Sequence, residues 1–84
     1  MQYRWIYHTG ITPYEYDLFI QAVGSNIQNY KPIAVAHQDD LRYRFFIYVN
    51  GGPDIPTSFN IIEIYKPIAG IPYITRILPI NVDL

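Results

Sequence analysis

The chain has 84 residues, a net charge of −1 at pH 7 and no cysteine; half of its residues are hydrophobic and 15% are charged. The length predicts a single compact domain over residues 1–84. The absence of cysteine excludes disulfides, thiolate chemistry and zinc–thiolate sites, and the near-zero net charge provides no overall attraction to nucleic acid or anionic membranes. The first residues do not resemble a signal peptide, and no apolar run approaches the ~20 residues that span a bilayer. We therefore expect a cytoplasmic protein without a membrane partner.

The first predicted strand is Tyr3–His8. Aromatic residues occupy every second position in this segment, and side chains alternate between the two faces of a strand. We therefore predict that Tyr3, Trp5 and Tyr7 face the core and that Arg4 lies on the opposite face.

The clearest helix signal follows the Thr9–Gly10 turn. Thr12 is a candidate N-cap, Pro13 occupies the first helical position, and Glu15 stands three residues after the cap, which together form a capping box. We predict a helix from about Pro13 to Ile27. Its apolar stripe at helical spacing consists of Tyr16, Phe19, Ile20, Val23 and Ile27.

Two strands joined by a tight turn are predicted in the middle of the chain. Pro32–Gln38 forms the shorter strand, Asp39–Asp40 the turn, and Leu41–Asn50 the central strand, which is rich in aromatic and β-branched residues. Strand alternation places Leu41, Tyr43, Phe45, Ile47 and Val49 on the core face and Arg42, Arg44, Phe46, Tyr48 and Asn50 on the other. We expect Gly51–Pro56, which follows, to be a mobile loop.

The segment 58–66 matches neither the helical nor the strand period well. The segments Tyr30–Ala34 and Tyr65–Ala69 have identical sequences, which favours a duplicated βαβ unit and a ferredoxin-like βαββαβ fold. The three isoleucines of segment 58–66 instead favour a strand. This strand would form a final hairpin with Ile71–Ile80 and give the order βαββββ. Both alternatives give an α+β protein in which one N-terminal helix packs on an antiparallel sheet of four to five strands. The prolines of the last strand predict that it lies at an edge.

No residue pattern predicts catalysis or a metal site. We interpret the two histidines, His8 and His37, as sheet or surface residues and the Asp39–Asp40 pair as a turn. Neither serine has a linked histidine, and the Gly51–Gly52 pair lacks the lysine and helix of a phosphate-binding loop. The remaining acids that we considered for paired-carboxylate catalysis are expected on exposed faces without a cleft: Glu15, Asp17 and Glu63. We predict no enzyme, no cofactor and no metal.

The arginines form the one candidate binding surface in the sequence. Strand alternation places them on the face of the sheet away from the core, together with aromatic side chains, whereas the acids are expected elsewhere. The predicted partner-binding residues are Arg4, Arg42, Arg44, Phe46, Tyr48 and Arg76. Arginine combined with exposed aromatic side chains is typical both of protein interfaces and of sheets that bind single-stranded RNA.

These features predict a small binding protein that acts by covering a partner protein. The short, cysteine-free and aromatic-rich chain resembles small phage and viral accessory proteins in general style, which implies an inhibitor of a host or defence complex, as anti-CRISPR proteins are, in the host cytoplasm. One alternative is a structural or assembly protein that forms homo-oligomers, such as a homodimer. The other is a binder of single-stranded nucleic acid, although only two lysines are present.

Overall fold

The structure is a computed structural model that describes residues 4–24, 29–49, 53–54 and 57–80. These residues contain one helix, α1 (Pro13–Val23), and five strands. The strands are β1 (Ile6–His8), β2 (Tyr30–His37), β3 (Arg42–Val49), β4 (Ser58–Tyr65) and β5 (Tyr73–Ile80). Among the residues described, no helix has the length and apolar character that crossing a membrane requires.

The five strands form one sheet in the order β1-β2-β3-β4-β5, and every neighbouring pair is antiparallel. The predicted α+β class, with one helix on an antiparallel sheet, is confirmed. Residues 58–65 form a strand, so the order is βαββββ and the ferredoxin-like alternative is wrong. The cause is that isoleucine, which is a poor helix former, packs well on a pleated surface. In this sheet β5 is an edge strand, as predicted, and β1 is the other edge.

The capping box at the start of α1 is confirmed. The Thr12 hydroxyl accepts a hydrogen bond from the Glu15 backbone N–H at 3.2 Å, and the Glu15 carboxylate accepts one from the Thr12 backbone N–H at 2.9 Å. The helix ends at Gly24, which has φ of 69°, a conformation that favours glycine. The predicted continuation to Ile27 lies outside the described residues.

The predicted stripe of α1 is partly wrong. Phe19 and Val23 are buried as expected, but the helix is rotated so that Leu18 faces the sheet while Tyr16 and Ile20 are exposed. Glu15, which was expected on an exposed face, is buried. The buried side of α1 therefore consists of Glu15, Leu18, Phe19 and Val23.

The alternation predicted for β3 is confirmed for its described residues. Tyr43, Phe45 and Ile47 are buried, while Arg44 and Phe46 lie on the other face. The ring of Phe19 on α1 contacts the ring of Phe45, with centroids 5.0 Å apart. Among the described residues, the buried core cluster consists of side chains from α1 and the middle of the sheet: Leu18, Phe19, Val23, Val35, Tyr43, Phe45, Ile47, Ile62 and Ile64.

The faces of β1 are opposite to the prediction. Tyr7 is 58% exposed, and Trp5 packs over the Arg44 guanidinium on the uncovered face of the sheet. His8 instead points to the helix and contacts Glu15 at 2.8 Å. Trp5 and Tyr7 do share one face, as their spacing predicted. They lie on the uncovered face because an edge strand of three residues is not enclosed by the core. Tyr3 lies outside the described residues.

Register shifts interrupt β2 and β5. The pairing of β2 with β3 shifts between Pro32 and Ala34, which leaves Ile33 45% exposed although it was predicted to share a face with Val35. The pairing of β4 with β5 shifts between Glu63 and Ile64, where Thr75 is the extra residue. Each bulge adds one residue, which exchanges the two faces for the side chains beyond it. Counting alternate positions along the sequence therefore assigns those side chains to the wrong face.

The turn between β2 and β3 forms around Asp39, as predicted. Its carboxylate accepts hydrogen bonds from the backbone N–H groups of Leu41 and Arg42 at 2.8 and 2.9 Å. The predicted loop Gly51–Pro56 lies outside the described residues except for Pro53 and Asp54, and so does Asn50.

Candidate interaction surface

The candidate site is the face of the sheet opposite α1, which we call the open face. Cross-strand pairing sets its members, because directly opposed residues share a face. From the register of β3 with its neighbours, the open face is built of Lys31, Ala34, Ala36, Arg42, Arg44, Phe46, Tyr48, Phe59, Ile61, Glu63, Tyr65, Tyr73, Arg76, Leu78 and Ile80. Tyr7 and Trp5 extend it at the β1 edge.

Glu63 is the electrostatic centre of the open face. It lies directly between Arg44 on β3 and Arg76 on β5. Arg44 Nε donates to Oε1 at 2.8 Å, while Arg76 donates from Nε to Oε2 at 2.8 Å and from Nη2 to Oε1 at 3.0 Å. The hydrogen bonds from Arg76 lower the pKa of Glu63; partial burial opposes this effect, and the bond from Arg44 adds to it. The pKa of Arg76 is raised by the same carboxylate.

Arg42 and Arg44 of the open face have further partners. Arg42 Nη1 donates to Asp39 Oδ2 at 2.9 Å, and its guanidinium lies 5.9 Å from the centre of the Tyr65 ring. The Arg44 guanidinium lies 4.1 Å from the centre of the Trp5 ring, which is a close cation–π contact. Each of these arginines is therefore held in position by a carboxylate and by an aromatic ring.

Apolar side chains form two rows next to this charged cluster. Phe46 is opposed by Ile61, which is opposed by Leu78; Tyr48 is opposed by Phe59, which is opposed by Ile80. The rings of Tyr48 and Phe59 meet edge to face at 5.7 Å, and Tyr7 contacts Phe46 at the same distance. The open face thus combines an ion-paired cluster, in which two carboxylates hold three arginines, with an aromatic and aliphatic half.

The structure brings together five of the six residues that the sequence predicted for the partner surface. Arg42, Arg44, Phe46, Tyr48 and Arg76 all lie on the open face. Arg4 precedes the edge strand β1 and is exposed; it was placed with the others on the assumption that Trp5 is in the core, which is wrong.

Sequence reasoning missed the role of Glu63. We expected the acids to lie away from the arginines, but Glu63 bonds two of them, so that expectation is wrong. The signal that could have located Glu63 is its parity on β4, since it shares a face with Phe59 and Ile61 once that segment is a strand. This parity could not be applied to Glu63 from the sequence, because the segment 58–66 matched neither the helical nor the strand period.

A second polar cluster lies on the covered side of the sheet, around His8 and Glu15. Their side chains meet at 2.8 Å, the His37 ring lies 5.9 Å from the His8 ring, and Tyr43 donates to the Asp40 carbonyl at 3.2 Å. Across the described part of the chain, no group of three or more His, Asp or Glu side chains is arranged to hold a metal ion. The His8–Glu15 pair fastens β1 to the helix start.

Comparisons with protein-family models, curated proteins and solved structures found no match to this chain. The case for its function therefore rests on the geometry of its own surfaces.

The open face allows a direct test of its charge balance. Glu63→Gln removes the carboxylate shared by Arg44 and Arg76, so we expect the free energy of unfolding to fall by about 1–2 kcal/mol. The variant should also gain weak, salt-sensitive retention on immobilised single-stranded DNA, because two guanidiniums become free for phosphate. Urea unfolding and a salt-gradient column measure the two effects. Asp54→Asn, an exposed change of equal charge, is the control; equal retention of both variants would contradict the role given to Glu63.

Proposed function

We propose that this protein is a non-enzymatic binding protein that contacts another protein through its open face. One observation carries the proposal: the arginines of this face are held by its own carboxylates, while aromatic and aliphatic rows beside them remain partly exposed. Preorganised arginine with aromatic side chains is the composition typical of the centre of a protein interface. The fixed geometry lowers the entropy cost of binding.

The same observation disfavours a nucleic-acid partner. Phosphate binding requires guanidinium groups free to replace counterions, whereas Arg44 and Arg76 already donate to Glu63. A phosphate chain would also lie against the Glu63 and Asp39 carboxylates. We therefore rank single-stranded nucleic acid below a protein partner.

The narrower prediction, a viral accessory protein that inhibits a host or defence complex, stays a prediction. It is supported by the small size and by a broad binding face without any catalytic constellation among the described residues. A protein of this kind would act by covering a functional surface of its target.

Site-specific photo-cross-linking tests the proposed face. A photoreactive side chain at Phe59 on the open face should give one cross-linked protein from a host extract, and the same group at Tyr16 on α1 should not. Both positions are exposed, at 37% and 43%, which makes them a matched pair. Capture should be lost in Tyr48→Ala and retained at 0.5 M salt. Cross-linking that is equal from both positions, or that yields only nucleic acid from Phe59, would overturn the proposal.

A further inference from the structure

A small pocket lies in the charged half of the open face. It has a volume of about 140 Å³, and four of the residues that line it belong to that face: Trp5, Arg42, Glu63 and Tyr65. Thr75, the extra residue of the β5 bulge, lines it as well. Because an apolar cavity of about 150 Å³ accommodates a benzene molecule, this pocket has room for one side chain of moderate size.

Contacts within the open face hold the walls of the pocket in position. The Arg44 guanidinium lies 4.1 Å from the centre of the Trp5 ring, and the Arg42 guanidinium lies 5.9 Å from the centre of the Tyr65 ring. Asp39 also fixes Arg42, through Nη1 at 2.9 Å. A ligand therefore meets groups that are already arranged, which lowers the entropy cost of binding.

Arg42 is the charged group of the pocket that has hydrogen-bond donors to spare. A guanidinium carries five N–H donors, and among the described residues Asp39 accepts from one of those of Arg42. The Arg42 side chain is 52% exposed, so its other donors can be reached from outside. Glu63, in contrast, already accepts three hydrogen bonds from Arg44 and Arg76 and offers little to a bound cation.

The charges around the pocket favour an anion. Among the described side chains of this cluster, the three guanidiniums of Arg42, Arg44 and Arg76 share the two carboxylates of Asp39 and Glu63. A bound cation would add a fourth positive charge, whereas one carboxylate would complete the balance. A chain of phosphates would exceed it, which agrees with the lower rank given to nucleic acid.

We infer that the pocket receives one acidic side chain, Asp or Glu, of the partner protein. Its carboxylate accepts hydrogen bonds from Arg42, and its methylene stem contacts the rings of Trp5 and Tyr65. Hydrogen bonds between charged groups are roughly twice as strong as neutral ones. The inference rests on the proposed function and adds the chemistry of the partner, which presents an acid beside the apolar side chains that meet the two rows.

The chain itself is a poor source of this carboxylate. Outside the described ranges the sequence has one acidic side chain, Asp83. Arg42 lies level with Tyr73 across the sheet, seven residues before Ile80, which is roughly 20 Å along the strand. Asp83 follows Ile80 by three residues, which span at most about 11 Å, so it falls short of the pocket.

Tryptophan fluorescence tests the inference, because Trp5 is the only tryptophan of the chain and lines the pocket. The probes are three capped tripeptides, Leu-Glu-Leu, Leu-Gln-Leu and Leu-Lys-Leu, which differ only in the central side chain. We expect the Glu peptide to shift the emission and to bind about 10-fold more tightly than the Gln peptide. The Lys peptide should give no saturable change.

Matched variants assign this preference to the pocket. Arg42→Gln should abolish the preference for the Glu peptide. Lys31→Gln removes the same charge from the open face, but beside Tyr48 in its apolar half, so it should retain the preference. Asp83→Asn should bind the Glu peptide as wild type does. Circular dichroism confirms folding, and Arg42→Lys, which keeps the charge but loses the planar donors, replaces Arg42→Gln if that variant unfolds and should weaken the preference.

Four results would overturn the inference: equal binding of the Glu and Gln peptides, tighter binding of the Lys peptide, a preference that survives in the Arg42 variant, or a gain of about 10-fold in Asp83→Asn, which would place the chain's own carboxylate in the pocket. Photo-cross-linking from Phe59 reports on the proposed function separately. A partner captured from Phe59 by a protein without the peptide preference would refute this inference alone, whereas the absence of any captured protein would refute the proposed function.

Discussion

Phe45→Ala should lower the free energy of unfolding by about 3–5 kcal/mol. The ring is fully buried on the central strand and packs against Phe19 and Tyr43, with centroids 5.0 and 6.4 Å apart. Truncation leaves a cavity between the helix and the sheet that neighbours cannot fill without moving. The loss is a large share of the roughly 5–15 kcal/mol available to a small domain. Urea unfolding followed by far-ultraviolet circular dichroism measures it.

The adjacent Phe46 provides the matched control. It is the same residue type on the same strand, but its ring lies on the open face against Tyr7. We expect Phe46→Ala to cost only about 1–2 kcal/mol, because part of its surface is already in contact with water. Equal losses in the two variants would contradict the assignment of faces on which the proposed function depends.

Glu15→Gln should lower the free energy of unfolding by about 2 kcal/mol at neutral pH. The buried carboxylate accepts hydrogen bonds from the Thr12 backbone N–H, the Thr12 hydroxyl and His8 Nε2 at 2.9, 3.0 and 2.8 Å. An amide cannot accept all three with the strength of a carboxylate. The change therefore weakens both the helix start and the attachment of β1.

The difference in unfolding free energy between wild type and Glu15→Gln should depend on pH. Burial acts to raise the pKa of Glu15, but the hydrogen bonds from His8 and Thr12 outweigh it and hold the pKa below its ordinary value of 4.5. A carboxyl with a lowered folded-state pKa stabilises the protein fully above its unfolded-state pKa, and this contribution is lost as the pH falls through the folded-state value. The difference between wild type and Glu15→Gln should thus shrink as the pH falls below about 4.5.

Thermal unfolding over a pH series, with Asp17→Asn as the control, checks this dependence. Asp17 lies on the same helix but is exposed, so its variant should follow the wild-type curve within about 0.5 kcal/mol. A difference between wild type and Glu15→Gln that persists unchanged into strong acid would show that the carboxylate charge has no part in the stabilisation.

Local signals in the sequence were sufficient for several elements. The capping box from Thr12 to Glu15 fixed the start of α1, since each of its bonds is made within one turn of chain. The alternation of apolar residues in β3 identified Phe45 as core and Arg44 as surface, because the central strand is uniform and free of bulges over its whole length. The Asp39 turn was likewise predictable from its own side-chain bonds.

Other features could not be predicted because they depend on which partner lies across the sheet. Trp5 and Tyr7 were placed in the core on the strength of their hydrophobicity, yet the ring of Trp5 lies over a guanidinium of another strand. Glu63 was placed apart from the arginines because nothing near it in sequence indicates that β3 and β5 bring Arg44 and Arg76 to its two oxygens.

The amino-acid sequence alone determined the α+β class, the helix start and the alternation of the central strand, since these follow from propensities and bonds within a few residues. The tertiary structure alone decided the charge of the open face, the orientation of β1 and the pairing of His8 with Glu15. The physical reason is register: an ion pair or a ring contact forms across strands only when pairing and bulges place the two side chains on the same face at the same level, and this is settled by the packing of the whole sheet.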